Sequence, residues 1–375
     1  MPGLLPHVDP DGLLEYSVVY TDRALNHLAQ RFHRVMQDVS ATLKQVYGAS
    51  SAIVVPGSGS FGMEAVARQF AQDRKVLVIR NGWFSYRWSQ IFEMGRIPAE
   101  TTVLKARMTG PGPKAPFAPA PIAEVVAAIR AGRPDVVFAP HVETSAGMLL
   151  PDAYLKAVAD AVHAHGGLFV LDCVASGAIW VDMKATGVDV IVTAPQKGWS
   201  STPCAGLVML GATARERIEH TTSSSFSLDL KKWLQIMEAH EMGSTAYHAT
   251  LPTDGLAQLR DVMQETAAFG FDRAMAAQLD LGRRVRALLE GRGIPSVAAA
   301  GFQAPGVVVS YTDHADWANT QAFARQGLQV AAGVPLACDE PADYRAFRVG
   351  LFGLDKLKNV DRTVATFERA LNALL

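Results

Sequence analysis

The 375-residue sequence contains only three cysteines, Cys173, Cys204 and Cys338. They are scattered and odd in number, which excludes a disulfide framework and any paired-cysteine metal or redox motif. A reducing cytoplasm is the simplest home for such a chain. The ten histidines never fall into an H-E-x-x-H or comparable spacing, so no catalytic metal is expected. No G-x-S-x-G occurs, which argues against a serine hydrolase. The longest apolar runs, such as residues 168–171 and 188–194, are far too short to span a bilayer. The opening MPGLLPHVDPDG lacks a basic stretch followed by an apolar one and does not read as a secretory signal. A formal net charge of −1 gives no electrostatic reason to bind nucleic acid or an anionic membrane. Repeats and low-complexity tracts are absent.

What is present is ordinary enzyme material. The chain is 49% hydrophobic and 19% charged, enough apolar mass for a large core. Short apolar runs alternate with amphipathic stretches, the pattern of an α/β fold with a mostly parallel sheet. Strands are expected over residues 52–55, 75–79, 136–139, 168–171, 188–193 and 206–210. Their nearly unbroken apolarity suits a sheet with helices on both faces. Helices are expected over 62–72, 122–131 and 154–165, with a Pro-rich connection over 111–121. The texture changes near residue 266. A long helix, Phe271–Glu290, is followed by short strands over 306–311 and 347–351. A last amphipathic helix carries Val360, Val364, Phe367 and Leu371 on one face. The reading is an N-terminal segment (1–20), a large α/β domain (21–265) and a small C-terminal α+β domain (266–375).

Three places carry chemistry. Gly57, Gly59 and Gly62 spell GSGSFG between a strand and a helix. Such a turn binds phosphate through backbone N–H groups and the helix dipole. The same letters satisfy the dinucleotide fingerprint, and Arg80 at the end of the next strand could suit NADP. That leaves an NADP-dependent reductase as an alternative. Further on, the strand over 168–171 runs into Asp172 at the edge where open α/β sheets place ligands. A carboxylate there suits the pyridine nitrogen of pyridoxal 5′-phosphate (PLP), which it keeps protonated. The strand over 188–193 then runs into Gln196-Lys197, followed by Gly198, Ser200, Ser201 and Thr202. Lysine is the residue that forms Schiff bases once its neutral form is accessible. Upstream, His141-Val142-Glu143-Thr144-Ser145-Ala146-Gly147 also follows a strand and offers hydroxyls.

Taken in order and spacing, Asp172-x-x-x-Ser176, Gln196-Lys197 and His-x-Glu-Thr-Ser-x-Gly resemble the class V aminotransferases of fold type I, in particular alanine–glyoxylate and serine–pyruvate aminotransferases. The resemblance runs over residues 15–375. It implies a seven-stranded sheet, PLP as cofactor and a homodimer with active sites at the subunit interface. It implies that Lys197 holds the cofactor as a Schiff base and later moves protons, and that Asp172 pairs with the pyridinium. Thr144 would meet the phenolic oxygen, and Phe84 of Asn81-Gly82-Trp83-Phe84 would stack on the ring. Ser58, Gly59, Ser60 and Gln196 would bind the phosphate, joined by Tyr247 and Thr250 reaching across the dimer. Arg348 of Phe347-Arg348-Val349-Gly350 would bind the substrate carboxylate through its planar guanidinium. The implied reaction is ping-pong transfer of an amino group from a small amino acid, such as alanine or serine, to glyoxylate or pyruvate. A PLP lyase or desulfurase is the alternative within the fold; it would need a mobile cysteine, and Cys338 is the one available. The family's N-terminal Gly-Pro-Gly-Pro is absent, replaced by Leu14-Glu15-Tyr16-Ser17-Val18-Val19-Tyr20-Thr21-Asp22-Arg23. Ser60 also stands where relatives have histidine.

Overall fold

Valine, isoleucine and leucine dominate six strands that build the centre of the molecule, as expected of strands covered on both faces. The computed structural model describes residues 8–9 and 12–375, so positions 1–7, 10 and 11 of the expected N-terminal segment lie outside the described residues. Its main sheet has seven strands: β1 Ser51–Pro56, β2 Lys75–Arg80, β3 Glu100–Lys105, β4 Val136–Pro140, β5 Leu168–Asp172, β6 Val190–Thr193 and β7 Ala205–Leu210. They lie side by side in the order β1-β7-β6-β5-β4-β2-β3. The pairs β2–β3, β2–β4, β4–β5 and β5–β6 are parallel. Strand β7 runs antiparallel to both of its neighbours. Strands β1, β2, β4, β5 and β6 therefore all end at one edge, and the loops leaving that edge carry GSGSFG, Asn81–Phe84, His141–Gly147, Asp172–Ser176 and Gln196-Lys197.

The expected strands are present within two residues of their bounds. Strand β3 lies outside those expectations; its sequence ETTVLK is polar and half-exposed. It forms one edge of the sheet and is left exposed there, whereas β1 at the other edge is buried and apolar. The helix expected to start at residue 62 begins at Gly59 and runs to Phe70. Ser58 is extended (φ −147°, ψ 174°) and serves as its N-cap.

Helix Gly59–Phe70 lies directly on the sheet because glycines face each other there. A Cβ on Gly206 would come within 2.8 Å of the Gly62 Cα and the Ser58 carbonyl oxygen. The third glycine of GSGSFG thus serves close packing of helix on strand, independent of any ligand.

Around Gly270 (φ +98°), helix Thr253–Phe269 ends and helix Phe271–Glu290 begins. The second helix buries Leu281, Val285 and Leu289 in a core of its own, against Val364, Phe367 and Leu371 of the C-terminal helix Val360–Asn372. Over these helices lies a three-stranded antiparallel sheet of β8 Val307–Tyr311, β9 Ala331–Ala332 and β10 Ala346–Gly350, with β10 in the middle. Arg348 is the central residue of that central strand. Gln278, fully buried on Phe271–Glu290, donates to the Pro305 and Leu351 carbonyls at 3.2 and 3.3 Å, and its side-chain oxygen lies against Gly177 of the large sheet's loops.

Gly206→Ala should push the helix off the sheet and cost about 1–3 kcal/mol in denaturant unfolding. Gly112→Ala, where an added Cβ meets nothing within 4 Å, should stay within about 0.5 kcal/mol of the parent. Equal effects would refute the close-packing account.

Candidate active site

Parallel pairing sets Asp172 beside Pro140 on one side and Val192 on the other, so the loops after β4, β5 and β6 leave the sheet together. Asp172 is buried and accepts a hydrogen bond from the Val174 N–H at 2.9 Å. Burial pushes its carboxyl up to about 6, against the pull of the Val174 amide and of Lys197. On the neighbouring loop, the His141 ring meets the Ser176 hydroxyl at 2.7 Å. Burial lowers this imidazole to about 4, so it is neutral near pH 7.

Lys197 sits in a tight turn. The Ser201 N–H donates to the Pro195 carbonyl and the Ser200 N–H to the Lys197 carbonyl, both at 3.1 Å. Gly198 presses this turn against the turn after Asp172, where a Cβ would stand 2.3 Å from the Gly177 oxygen. Only a residue without a side chain permits that approach. Ser200 holds the left-handed conformation at φ +57°, which costs a non-glycine residue energy. Its hydroxyl accepts the Leu354 N–H of the small domain at 2.9 Å. Burial lowers the pKa of the Lys197 amine, while Asp172 and Glu143 favour its charged form. The nitrogen lies 5.8 Å from the Phe84 ring centre and 5.7 Å from that of Phe352.

Phe84 occupies this place because of what holds its helix, Trp83–Gly95. The Glu143 carboxylate is fully buried and caps the helix. It accepts from the N–H groups of Ser85 (2.8 Å) and Phe84 (3.2 Å) and from the Ser85 hydroxyl (2.7 Å). The Ser145 amide and hydroxyl donate to it at 3.1 and 2.7 Å. Ser145 Oγ in turn accepts the Trp83 N–H at 2.9 Å. Gly82 fits between them only because it lacks a Cβ, which would lie 2.0 Å from the Ser145 hydroxyl. Thr144 is buried within the same turn. Trp83 turns instead toward Tyr86, ring centres 5.6 Å apart.

The phosphate-type turn is close by. A Cβ on Gly59 would stand 2.7 Å from a Val174 methyl, so this helix start is packed against the loop that follows Asp172. Ser60 Oγ accepts from the Arg87 guanidinium at 2.9 Å, and Arg87 lies 5.4 Å from the Phe84 ring centre. In the sequence, Glu143 and Ser145 stood out only as part of the loop His141–Gly147, and Arg87 did not stand out at all. Arg87 sits one helical turn after Phe84, and that spacing was the available signal.

Arg348 reaches the same ring from the small domain, 5.6 Å from its centre. Its Nε donates to the Ala332 carbonyl at 2.7 Å. The chain thus brings Lys197, Asp172, Phe84, Thr144, Ser58, Gly59, Ser60 and Arg348 to one region. Gln196 is exposed. Tyr247 and Thr250 pair with each other at 3.3 Å, and Tyr247 is 60% exposed. No hydrogen bond or ring contact joins these three to Lys197 among the described residues.

Two alternatives lose their footing. Arg80 does not project toward a nucleotide. It is buried, donates to Ser89 at 2.8 Å and to the Ala337 carbonyl at 3.4 Å, and lies over the Tyr86 ring. Cys338 is not on a free loop. It is buried with its thiol on the Arg80 carbonyl at 3.4 Å. Glu340 accepts the amides of Leu336, Ala337 and Cys338 and so fixes that loop. Burial raises the thiol to about 12, the opposite of a reactive cysteine.

A seven-stranded sheet with one antiparallel member, a lysine and an aspartate on its carboxyl-end loops, and a small domain supplying an arginine define the fold type I architecture of PLP-dependent transferases. Within it the chain belongs to the class V aminotransferase family, whose profile, Aminotransferase class-V, matches residues 12–351. A 2-aminoethylphosphonate–pyruvate transaminase of Paraburkholderia phymatum is 30% identical, covering 98% of each chain. An alanine–glyoxylate aminotransferase of Callithrix jacchus is 25% identical, over 92% of this chain and 82% of the relative. The crystal structure of an alanine–glyoxylate aminotransferase from Nostoc superposes with a TM-score of 0.77 at 22% identity, covering 92% and 89% of the two chains.

Two measurements test this geometry. A carboxyl raised on folding weakens the fold only when ionised. The Asp172 penalty is absent below its ordinary value of 3.8 and is complete once the pH passes about 6. The rise corresponds to about 3 kcal/mol. In the cofactor-free protein, Asp172→Asn should therefore gain stability over the parent as the pH is raised from about 4 to 7, followed by thermal unfolding; a flat difference would refute it. Glu143→Ala strands several buried donors and should cost roughly 2–4 kcal/mol, more than Ser145→Ala in the same denaturant titration.

Proposed function

We propose that the chain is a PLP-dependent aminotransferase that moves an amino group from a small amino donor to pyruvate or glyoxylate. The observation that carries the reading is the half-buried Lys197 amine, set beside Phe84 with Asp172 at the end of β5 and faced by Arg348. The donor set fits the cofactor. Gly59 leaves a side-chain-free helix start, and Ser58, Ser60 and Arg87 add donors suited to a phosphate. Asp172 suits a protonated ring nitrogen, and Phe84 offers a face for a flat ring. Bound there, PLP supplies an electron sink for the charge that develops at the substrate α-carbon.

The remaining work falls to side chains. Asp172 keeps a proton on the cofactor's ring nitrogen, and that positive charge would draw its own carboxyl back toward ionisation. Burial lowers the pKa of Lys197 and so favours its neutral form, in which Nζ can serve as nucleophile and later carry the proton removed from the α-carbon. Arg348 keeps its two terminal nitrogens free of partners among the described residues. They can grip a substrate carboxylate and fix which α-carbon bond faces the ring. Donor and acceptor use this one site in turn. The names of relatives, one acting with pyruvate and one with glyoxylate, support the choice of acceptor.

The working unit in this reading is a homodimer. Gln196, Tyr247 and Thr250 lie at the surface of a single chain, where a second copy could bring Tyr247 and Thr250 to its neighbour's phosphate. No helix among the described residues is long and apolar enough to cross a membrane. Free, buried cysteines agree with a cytoplasmic setting.

The test is spectroscopic. The purified protein with PLP should show the visible absorption of a lysine-linked cofactor. Lys197→Ala should abolish it, and an amino donor should bleach the parent's band, with pyruvate or glyoxylate restoring it. A colourless protein, or release of sulfide without bleaching, would overturn the reading.

A further inference from the structure

The small domain holds a polar group that none of the roles above uses. Tyr344 packs on the cluster that joins Val142 and Ala146 of the large domain to Tyr311 and Leu336 of the small one. Its ring meets that of Tyr311 edge-on, centres 5.6 Å apart. Its hydroxyl is buried and has no hydrogen-bond partner among the described residues. Other buried tyrosines of the chain are satisfied: Tyr311 donates to the Ala115 carbonyl and Tyr154 to the Ala120 carbonyl, both at 2.8 Å. A phenol buried without a partner is worse than phenylalanine at the same place unless something visits it.

Position says what the visitor is. Pairing of β10 with β8 continues one residue outward, where the Thr312 N–H donates to the Arg345 carbonyl at 3.1 Å. Along that extended stretch Tyr344, Ala346 and Arg348 alternate onto one side. Burial raises the Tyr344 phenol, and Tyr311, Glu340, Arg348 and Glu143 are the ionisable groups that bear on it. The group therefore stays a neutral O–H donor over the working pH range. Arg348 spends only its Nε on the protein. A carboxylate has more acceptor positions than one guanidinium edge fills.

We propose that the Tyr344 hydroxyl binds the substrate carboxylate alongside Arg348, and so selects amino and oxo acids over amines that lack a carboxylate. The inference rests on the aminotransferase reading of the Arg348 pocket. An O–H aimed at an ion already held by a guanidinium adds orientation as well as affinity, because it fixes the carboxylate's rotation about its own axis. Tyr344 is here a substrate-binding residue, with no part in moving protons.

The experiment uses the PLP-loaded enzyme, to which pyruvate binds without turnover. Calorimetric titration compares the parent with Tyr344→Phe, using pyruvate and, as a carboxylate-free probe, n-propylamine. The expected result is about tenfold weaker pyruvate binding, unchanged n-propylamine binding and an unchanged cofactor spectrum. Unchanged pyruvate affinity, or equal weakening of both probes, overturns the role of Tyr344. A weakening seen with methylphosphonate but not with pyruvate also overturns it, since the group would then serve a tetrahedral anion. These outcomes differ from failure of the aminotransferase reading, in which the parent itself neither binds pyruvate nor bleaches with any amino donor.

Discussion

The Glu143 carboxylate takes hydrogen bonds from the first amides of helix Trp83–Gly95 and from two serine hydroxyls, and the site is built outward from it. A buried carboxylate at a helix start is held by both the unsatisfied amides and the helix dipole. Fixing that helix start fixes Phe84. Around the Phe84 ring stand Lys197 and Arg348, with Arg87 from the same helix. Three cations in a half-buried space would repel one another strongly at low dielectric. Glu143 and Asp172 supply the opposing charge, and both favour the charged form of Lys197. The lysine is thus caught between burial, which favours its neutral form, and two carboxylates that oppose it. A reactive amine needs that balance, since full protonation removes the nucleophile.

Backbone proximity does the rest. Gly198 against Gly177 and Gly62 against Gly206 are places where one loop or helix touches another without a side chain between, and Gly82 leaves room for the Ser145 and Glu143 side chains. Each contact shortens the distance between groups that belong to different strands. The sheet gives the common edge, and these contacts draw its loops into one small volume.

The fold was legible where strands were apolar and helices amphipathic, because burial on both faces writes itself into the letters. It was not legible at β3, an edge strand under no such pressure, nor at the start of helix Gly59–Phe70, where glycine hides a helix that tertiary packing imposes. In the site, Lys197 and Asp172 could be seen because each follows an apolar strand. Their company could not be derived from spacing: Arg348 lies on another domain, and its meeting with Phe84 depends on how the two cores dock. Glu143 was visible as a letter in a loop, yet its work is done on a helix some sixty residues upstream. Arg80 shows the reverse error. Its place after a strand suggested a nucleotide, while the fold uses it to tie the large domain to the loop at Ala337.

The bond from the Leu354 amide to Ser200 joins residues 154 positions apart in sequence. Gln278, bonded to the Pro305 and Leu351 carbonyls, also packs against the Gly177 turn. In mechanical terms, the reach from the reactive amine to the carboxylate-binding strand is gauged over a short loop of contacts, and the long covalent path around the molecule does not enter it. The Ser200–Leu354 bond ties the turn that carries Lys197 to the chain just beyond the strand that carries Arg348.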